Sequence, residues 1–407
     1  MIRRDLLLVE YQTTYLLADA LTFAEGLALW RNFDQRGKRL HLSFPSPKTK
    51  NQWAITPQGW AGHIPVAADM TLHIQPRLPL TNLFPLWAYA CNLTQEDLGD
   101  DLAAVQSLAA FYEQVVRLLL ARVQRRLRQG LYRAYQPRTA VTPFVRGRIT
   151  AYPQPPQVEI RCCYEEHTAD VPENQLIAFT LQQVARSRHC SEELQTAVRR
   201  TAHHLQTTVT WRPFTPDEWV GWGYTRLNQD YRPIHALCRF LLEQSTPLVE
   251  AGLFAGPPFL LNMARLYELF VAAWLRIHLP APWRLKVQEV VTVGQTNDLR
   301  FELDLVLYDG DGRVTAVLDT KYKTPTHTAM TDVHQVVTYA QAKGAPQAVL
   351  VYPVALERPL DVQLHHLHVR SLTFAITDDL EQAGQRFLSA LFNRLPATDN
   401  RLPGDPP

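Results

Sequence analysis

No apolar run in this chain approaches the ~18–20 residues that a membrane-spanning helix needs, which argues against a membrane protein. Cysteine is scarce. The five residues Cys91, Cys162, Cys163, Cys190 and Cys238 are odd in number and form no C-x-x-C pair. That pattern argues against a disulfide framework, and a reduced, cytoplasmic protein is expected. Neither sign of charge dominates: 41 Lys and Arg against 39 Asp and Glu leave a net of +2. A strongly basic coat for nucleic acid and a strongly acidic tail are both excluded. Internal repeats and low-complexity blocks are also missing. The apolar stretch behind the basic start, Leu6-Leu7-Leu8-Val9, is too short for a secretory signal. What is left is a globular composition, 46% hydrophobic and 20% charged over 407 residues, enough for about two or three domains.

Charge is more telling locally. Residues 113–148 carry nine Arg, one Glu and no Lys or Asp, a net of +8, whereas residues 256–407 carry 14 Lys and Arg against 16 Asp and Glu, a net of −2. The arginine run reads either as a solvated helix face with its loop, or as a surface for a polyanion, an acidic partner or a nucleotide. Residues 1–95 alternate apolar with polar in short runs such as Leu40–Phe44 and Thr71–Gln75, punctuated by proline and glycine, and predict a β-rich unit. Leu102, Val105, Leu108, Tyr112, Val115, Leu119, Val123 and Leu127 keep helical spacing up to Gly130. Extended pieces are expected over 131–170, one helical stretch over about 173–208 and another over about 228–246. Gly252, Gly256, Pro257 and Pro258 suggest a boundary, and Pro396–Pro407 a frayed tail. The expected domains are therefore 1–95, 96–255, 256–395 and the tail 396–407.

From residue 259 the pattern becomes helix, three strands, helix, strand. Phe259–His278 reads as a helix with Leu261, Ala264, Val271 and Leu275 on one stripe, and Glu268 falls within that stripe. A carboxylate there needs a partner, for which Arg265 is at hand. Lys286–Val293, Arg300–Leu307 and Arg313–Tyr322 read as strands, the last two joined by the turn Asp309-Gly310-Asp311-Gly312. If Tyr308 pairs with Arg313, Asp304 lies opposite Val317 and diagonal to Asp319, about 7–8 Å away at the backbone. Two carboxylates so placed can converge on one hard divalent cation, which relieves their mutual repulsion. Lys321, two residues beyond Asp319 on the same face, can orient a water or stabilise charge on a phosphate. Read alone, Asp-x-Lys is equally an exposed salt bridge at a strand end. In the following helix, Gln335 and Tyr339 are four residues apart and share a face.

A helix glutamate (Glu268), a strand aspartate (Asp304) and Asp319-Thr320-Lys321 on the next strand together resemble the PD-(D/E)xK nuclease pattern, with Leu303 where that pattern has proline. Gln335 and Tyr339 resemble its Q-x-x-x-Y accessory element. The resemblance extends along most of the chain to the McrC family, the nuclease subunits of McrBC-type modification-dependent restriction systems. Val145-Arg146-Gly147-Arg148-Ile149 resembles that family's R-G-[KR]-I element. Cys163 to Leu176, with Tyr164, Glu165, Glu166, Asp170 and Asn174, resembles its C-x-Y-[DE]-E stretch, and Leu318–Lys323 followed by Asp332 and Gln335 resembles its D-[AT]-K-Y-K … D-x-x-Q signature. Residues 55–62 and 72–77 match more loosely.

The resemblance implies an α+β multidomain protein with a β-rich, partner-binding N-terminal domain, a helical and mixed middle region, and a C-terminal restriction-endonuclease-like αβββαβ core. It implies a partner, a McrB-like AAA+ GTPase forming a hexameric ring, which binds the GTP and reads the modified cytosine. It also implies Mg2+-dependent cleavage of double-stranded DNA, with Mn2+ able to substitute. The metal would be held by Asp304, Asp319 and the main-chain carbonyl of Thr320, with Glu268 in the outer shell and Lys321 positioning the attacking water. Two other readings stay open: a non-cleaving activator of an AAA+ ring, and a stand-alone nuclease. A metal site at Cys163, Glu165, Glu166, His167 and Asp170 is not expected, because their spacing fits no zinc template. Trp211, Trp219 and Trp222 are expected in a core rather than stacking on bases.

Overall fold

Alternating side chains over Met70–Gln75 produce a strand whose Met70, Leu72 and Ile74 are buried while Thr71 and His73 are half-exposed, the period of two expected of a one-sided sheet. The computed structural model describes residues 4–35, 38–67, 69–91, 93, 107–151, 160–187, 189–214, 218, 222–244, 258–293, 299–324, 327–377 and 379–393. The chain falls into two compact units, one of Met1–Leu108 with Leu260–Pro407, the other Ala109–Phe259. The β-rich region expected over 1–95 and the region expected over 256–395 thus lie in one unit. The tail 396–407 and the boundary residues Gly252, Gly256 and Pro257 lie outside the described residues.

The N-terminal part of the first unit runs β1 (Arg4–Val9), β2 (Thr14–Leu16), α1 (Phe23–Leu29), β3 (Leu40–Ser43), β4 (Trp53–Pro57), β5 (Trp60–Ala67), β6 (Met70–Gln75) and α2 (Leu83–Ala90). A three-stranded sheet has the order β2-β4-β3. The second unit holds α3 (Leu108–Gln129), β7 (Ala134–Thr142), β8 (Arg148–Ala151), β9 (Ile160–Thr168), α4 (Pro172–Arg186), α5 (Glu192–Gln206) and α6 (Tyr231–Gln244), with strand order β7-β9-β8. Residues 102–106 of the expected first helix lie outside the described residues, while Leu108, Tyr112, Val115, Leu119 and Val123 are buried as their spacing requires. The single helix expected over 173–208 is two helices. Ser191 stands extended before Glu192 and Glu193, a helix start signal that interrupts the apolar pattern.

The chain then returns to the first unit. The helix expected from Phe259 begins only at Met263. Phe259–Asn262 is a strand, β10, and closes a second sheet of order β1-β6-β5-β10. Asn262 ends that strand and caps α7 (Met263–His278), its side chain accepting from the Arg265 amide at 2.9 Å. β11 (Arg284–Val293), β12 (Leu299–Tyr308), β13 (Val314–Thr320), α8 (Met330–Lys343), β14 (Gln347–Tyr352), β15 (Asp361–Leu364), β16 (Leu367–Thr373) and α9 (Leu380–Phe392) follow. Their sheet has the order β11-β12-β13-β14-β16-β15, with β11, β12 and β13 antiparallel and β13, β14 and β16 parallel. β14 is buried along its whole length, as a central parallel strand must be. Val333, Val336 and Ala340 of α8 pack over Val306, Val317, Ala348 and Leu350. Among the described residues no helix is long and apolar enough to cross a membrane.

Candidate active site

The β12–β13 hairpin sets the geometry, and its register differs from the one expected. Tyr308 pairs with Val314 rather than Arg313, and an irregularity follows before Leu307 pairs with Ala316. The cause is the turn: the Asp309 side chain accepts from the amides of both Asp311 and Arg313, at 3.0 and 2.8 Å, and the Asp309 amide bonds the Arg313 carbonyl. The extra residue moves the partner of Asp304 along β13. With Val306 on Val317 and Leu305 on Leu318, the same register sets Asp304 beside Asp319, not diagonal to it. The side-chain faces survive the shift, because the displacement is by two residues.

Asp304 Oδ2 accepts from the Thr320 amide at 3.0 Å and the Thr320 hydroxyl at 3.1 Å. Asp319 is 1% exposed. The Lys321 ammonium lies 2.7 Å from Asp319 Oδ2. That ammonium is the cation that meets the enclosed Oδ2. Burial pushes the Asp319 carboxyl up to about 7; Asp304 and Asp332 push the same way, and Lys321 opposes them. Lys321 also donates to Gln335 Oε1 at 3.0 Å. Gln335 in turn donates to the Tyr339 hydroxyl at 2.8 Å, so α8 fixes the lysine through a two-residue brace.

Glu268 stands apart from this group. Its carboxylate pairs with Arg265 at 2.5 Å and accepts weakly from Gln288 at 3.4 Å. Burial raises its carboxyl above the ordinary range and Asp304 adds to the rise, against Arg265 and Gln288. Among the described residues no three His, Cys, Asp or Glu side chains gather closely enough to hold a metal ion together. Asp304 and Asp319 form a pair rather than a three-carboxylate cage. One ion pair beside them went unread in the sequence. Lys323 reaches both oxygens of buried Asp332, at 2.8 and 3.0 Å. The signal was available, since Asp332 opens α8 and lies three residues before Gln335.

In the second unit the arginine run is divided. Arg117, Arg126, Arg138 and Arg146 meet Glu113, Asp230, Glu166 and Glu166, while Arg125, Arg128, Arg133 and Arg148 are exposed. Gly147 of the Arg-Gly-Arg element has φ +71, and a Cβ there would fall 2.5 Å from the Cys163 carbonyl, so only glycine lets this turn lie on β9. Asn174 is fully buried and donates to the carbonyls of Tyr132 and Ala169 while accepting from Tyr231. Asp170 accepts from the Thr210 amide and Gln175, both at 2.8 Å. The Cys163–Leu176 stretch is thus a hydrogen-bonded frame. Trp222 packs on His235 and Phe214, and Trp211 is 40% exposed beside Phe179; Trp219 lies outside the described residues.

A chain from the refined half-complex of a tetradecameric assembly of Thermococcus gammatolerans McrB AAA+ hexamers with bound McrC is similar in structure. The TM-score is 0.57 at 16% identity, over 95% of this chain and 99% of that one. At that identity the likeness speaks for the fold. A chain of the Thermococcus gammatolerans McrBC complex aligns with a TM-score of 0.43 at 17% identity, over 68% of this chain and 88% of that one. No curated protein matches. A family model described as McrBC 5-methylcytosine restriction system component matches residues 55–353, a span that includes the Arg-Gly-Arg turn, the Asn174 frame and the Asp304–Asp319 pair. The chain therefore belongs to the McrBC 5-methylcytosine restriction system component family, in agreement with the McrC resemblance of its motifs.

Proposed function

We propose that this chain is the endonuclease subunit of a McrBC-type system, acting with a McrB-like AAA+ GTPase ring on DNA that carries modified cytosine. The observation that carries the reading is the buried Asp319 carboxylate, flanked by Asp304 and held 2.7 Å from Lys321 on a PD-(D/E)xK-like strand pair. Buried Asp319 beside half-buried Asp304 is costly unless cations offset the charge, and a carboxylate oxygen that meets one ammonium keeps a lone pair for a second cation. Asp304, Asp319 and the main-chain carbonyl of Thr320 would hold a divalent cation, Mg2+ or Mn2+, with Glu268 outside them. When bound, that cation supplies charge neutralisation at a scissile phosphate and acidifies water.

The chain's own groups do the rest. Lys321 places a positive charge beside the carboxylate pair, where it can orient a water or meet charge developing on a phosphate oxygen. Gln335 accepts from Lys321 and, through Tyr339, is held in the one amide orientation that permits it. Asp319→Ala in the complex reconstituted with the ring is expected to lose DNA cleavage while nucleotide hydrolysis by the ring persists. Undiminished cutting by that variant would remove the assignment. The exposed arginines Arg125 and Arg128 of α3, Arg133 just before β7 and Arg148 of β8 favour a second, compatible role as the activator of the ring; charge reversal of Arg133 or Arg148 is then expected to lower nucleotide hydrolysis by the ring.

A further inference from the structure

β11 forms one edge of the six-stranded sheet and pairs with β12 from Arg284 to Val287 and again from Glu289 to Val293. The residue between, Gln288, stands at φ +52. That is the left-handed region, which side chains other than asparagine and aspartate rarely enter. The register is the same on both sides of it, Val287 on Leu305 and Glu289 on Leu303, so no residue has been inserted. The count therefore sets Gln288 opposite Asp304, the first acid of the candidate site.

The side chain of Gln288 goes to the second acid nearby. Its Nε2 donates to Glu268 Oε1 at 3.4 Å, the oxygen that Arg265 holds from within α7. The charge of Asp304 reaches the same carboxyl and adds to the rise that burial causes. Gln288 thus has its backbone beside one acid and its amide on the other. Among the described residues that is the one hydrogen bond its side chain makes, and the exposed amide keeps a donor and an acceptor to give. A left-handed glutamine inside a strand costs free energy, and such outliers persist where the surroundings hold them, most often at functional sites. Twisting an edge strand to shield it from other chains would need the turn but not this side chain.

We propose that Gln288 is a positioning residue of the candidate active site: its left-handed backbone turns its amide onto Glu268 and holds that carboxylate beside Asp304. The proposal rests on the nuclease reading, in which Asp304 and Asp319 hold a divalent cation and Glu268 stands outside them. Arg265 does not serve this purpose, because it lies three residues from Glu268 on the same helix and moves with it. Gln288 instead ties α7 to β11 and, through the register, to β12. Residues behind a ligand shell fix how its members point, and their loss commonly weakens metal binding by about tenfold or more. Length matters as well as conformation. Asparagine tolerates the same backbone but is one methylene short, and glycine keeps only the turn.

The test is Mn2+ binding by the full chain, followed by calorimetry, with thermal midpoints measured in the absence of metal. Gln288→Gly removes the side chain from a conformation that glycine adopts freely, and Gln288→Asn keeps an amide that does not reach. Both are expected to bind Mn2+ about tenfold more weakly than the parent. The metal-free midpoint of Gln288→Gly is expected to equal or exceed that of the parent, because strain is relieved. A residue kept for stability would show the opposite, a lower midpoint with unchanged Mn2+ affinity, and that result overturns the proposal. Indifference of both quantities to both substitutions overturns it too. Asp319→Ala, run beside them, separates the failures. Binding lost in Asp319→Ala but unchanged in both Gln288 variants overturns the role of Gln288 alone. Binding unchanged in Asp319→Ala removes the reading of the site and this inference with it.

Discussion

Asp304 and Asp319 stand side by side on antiparallel strands, and the Thr320 amide that follows Asp319 donates to Asp304 Oδ2 at 3.0 Å. The main chain of one strand thus holds the acid of the other, so Asp304 cannot swing away from Asp319 without breaking that hydrogen bond. Asp304 raises the cost of ionising Asp319, and burial does most of the work there.

Asp304→Asn separates charge from geometry. The asparagine oxygen can still accept from Thr320, so the thermal midpoint should stay within a few degrees. The Asp319 carboxyl should fall below its value of about 7, because a repelling neighbour is gone. Carbon-detected NMR titration of the carboxyl checks this, and an unmoved or raised value would deny the electrostatic contact. Cleavage by the reconstituted complex should drop by about 100-fold or more, as when a group stabilising a transition state is removed.

Gln335→Leu leaves Lys321 without its brace while preserving side-chain volume. The expected result is a fall of about tenfold in the single-turnover cleavage rate with DNA binding unchanged, since positioning and not affinity is lost. Tyr339→Phe should show a smaller loss of the same kind. A change in affinity alone would make Gln335 a binding residue instead.

How much of this site the sequence carried depends on the kind of information each feature needs. Asp304, Asp319, Lys321 and Gln335 share their faces through periods of two and 3.6, and these survive small errors of register. The pairing of Asp304 with Asp319 was misplaced because the Asp309 side chain takes two amides and inserts a residue, which no alternation records. Glu268 had two partners open to it, and the structure gives it to Arg265. Phe259–Asn262 looked helical because its apolar residues run on into a helix. Pairing with β5, more than 190 residues earlier in the chain, makes it a strand, and a local pattern cannot contain such a contact. The cavity lined by Tyr11 and Tyr322 was invisible for the same reason, since its walls come from opposite ends of the chain.

Asn174→Ala tests the frame of the second unit. Its side chain satisfies the carbonyls of Tyr132 and Ala169 and accepts from Tyr231 at 2.7 Å, the last two bonds buried and the first partly so. Truncation leaves the two carbonyls without the amide, at about 1–3 kcal/mol each before relaxation, while the Tyr231 hydroxyl keeps the Tyr132 amide as a partner. A net loss of about 2–4 kcal/mol in urea unfolding is expected, and a loss under 1 kcal/mol would mean that water replaces the amide.

His235 sets an acid limit on the same unit. Its ring is 5% exposed, with Nδ1 3.0 Å from the Tyr224 hydroxyl and Nε2 3.0 Å from the Glu173 carbonyl. Burial lowers its pKa from the ordinary 6.5 to about 4, with the Glu173 carbonyl and Asp230 opposing. Between those values the unfolded chain binds the proton and the folded chain does not, so stability rises with pH across the window. The contribution is complete above pH 6.5 and is lost as pH falls towards 4, a span worth about 3 kcal/mol. Urea midpoints of the isolated full chain should therefore carry a component that declines from pH 7 to pH 4, opposite in sign to the components from Glu10 and Asp319, whose raised carboxyls take up protons in the folded chain over the same window. In His235→Gln, whose amide keeps hydrogen-bonding capacity but carries no titrating group, that decline should shrink by most of the same amount. An equal decline in both proteins would place the acid sensitivity elsewhere.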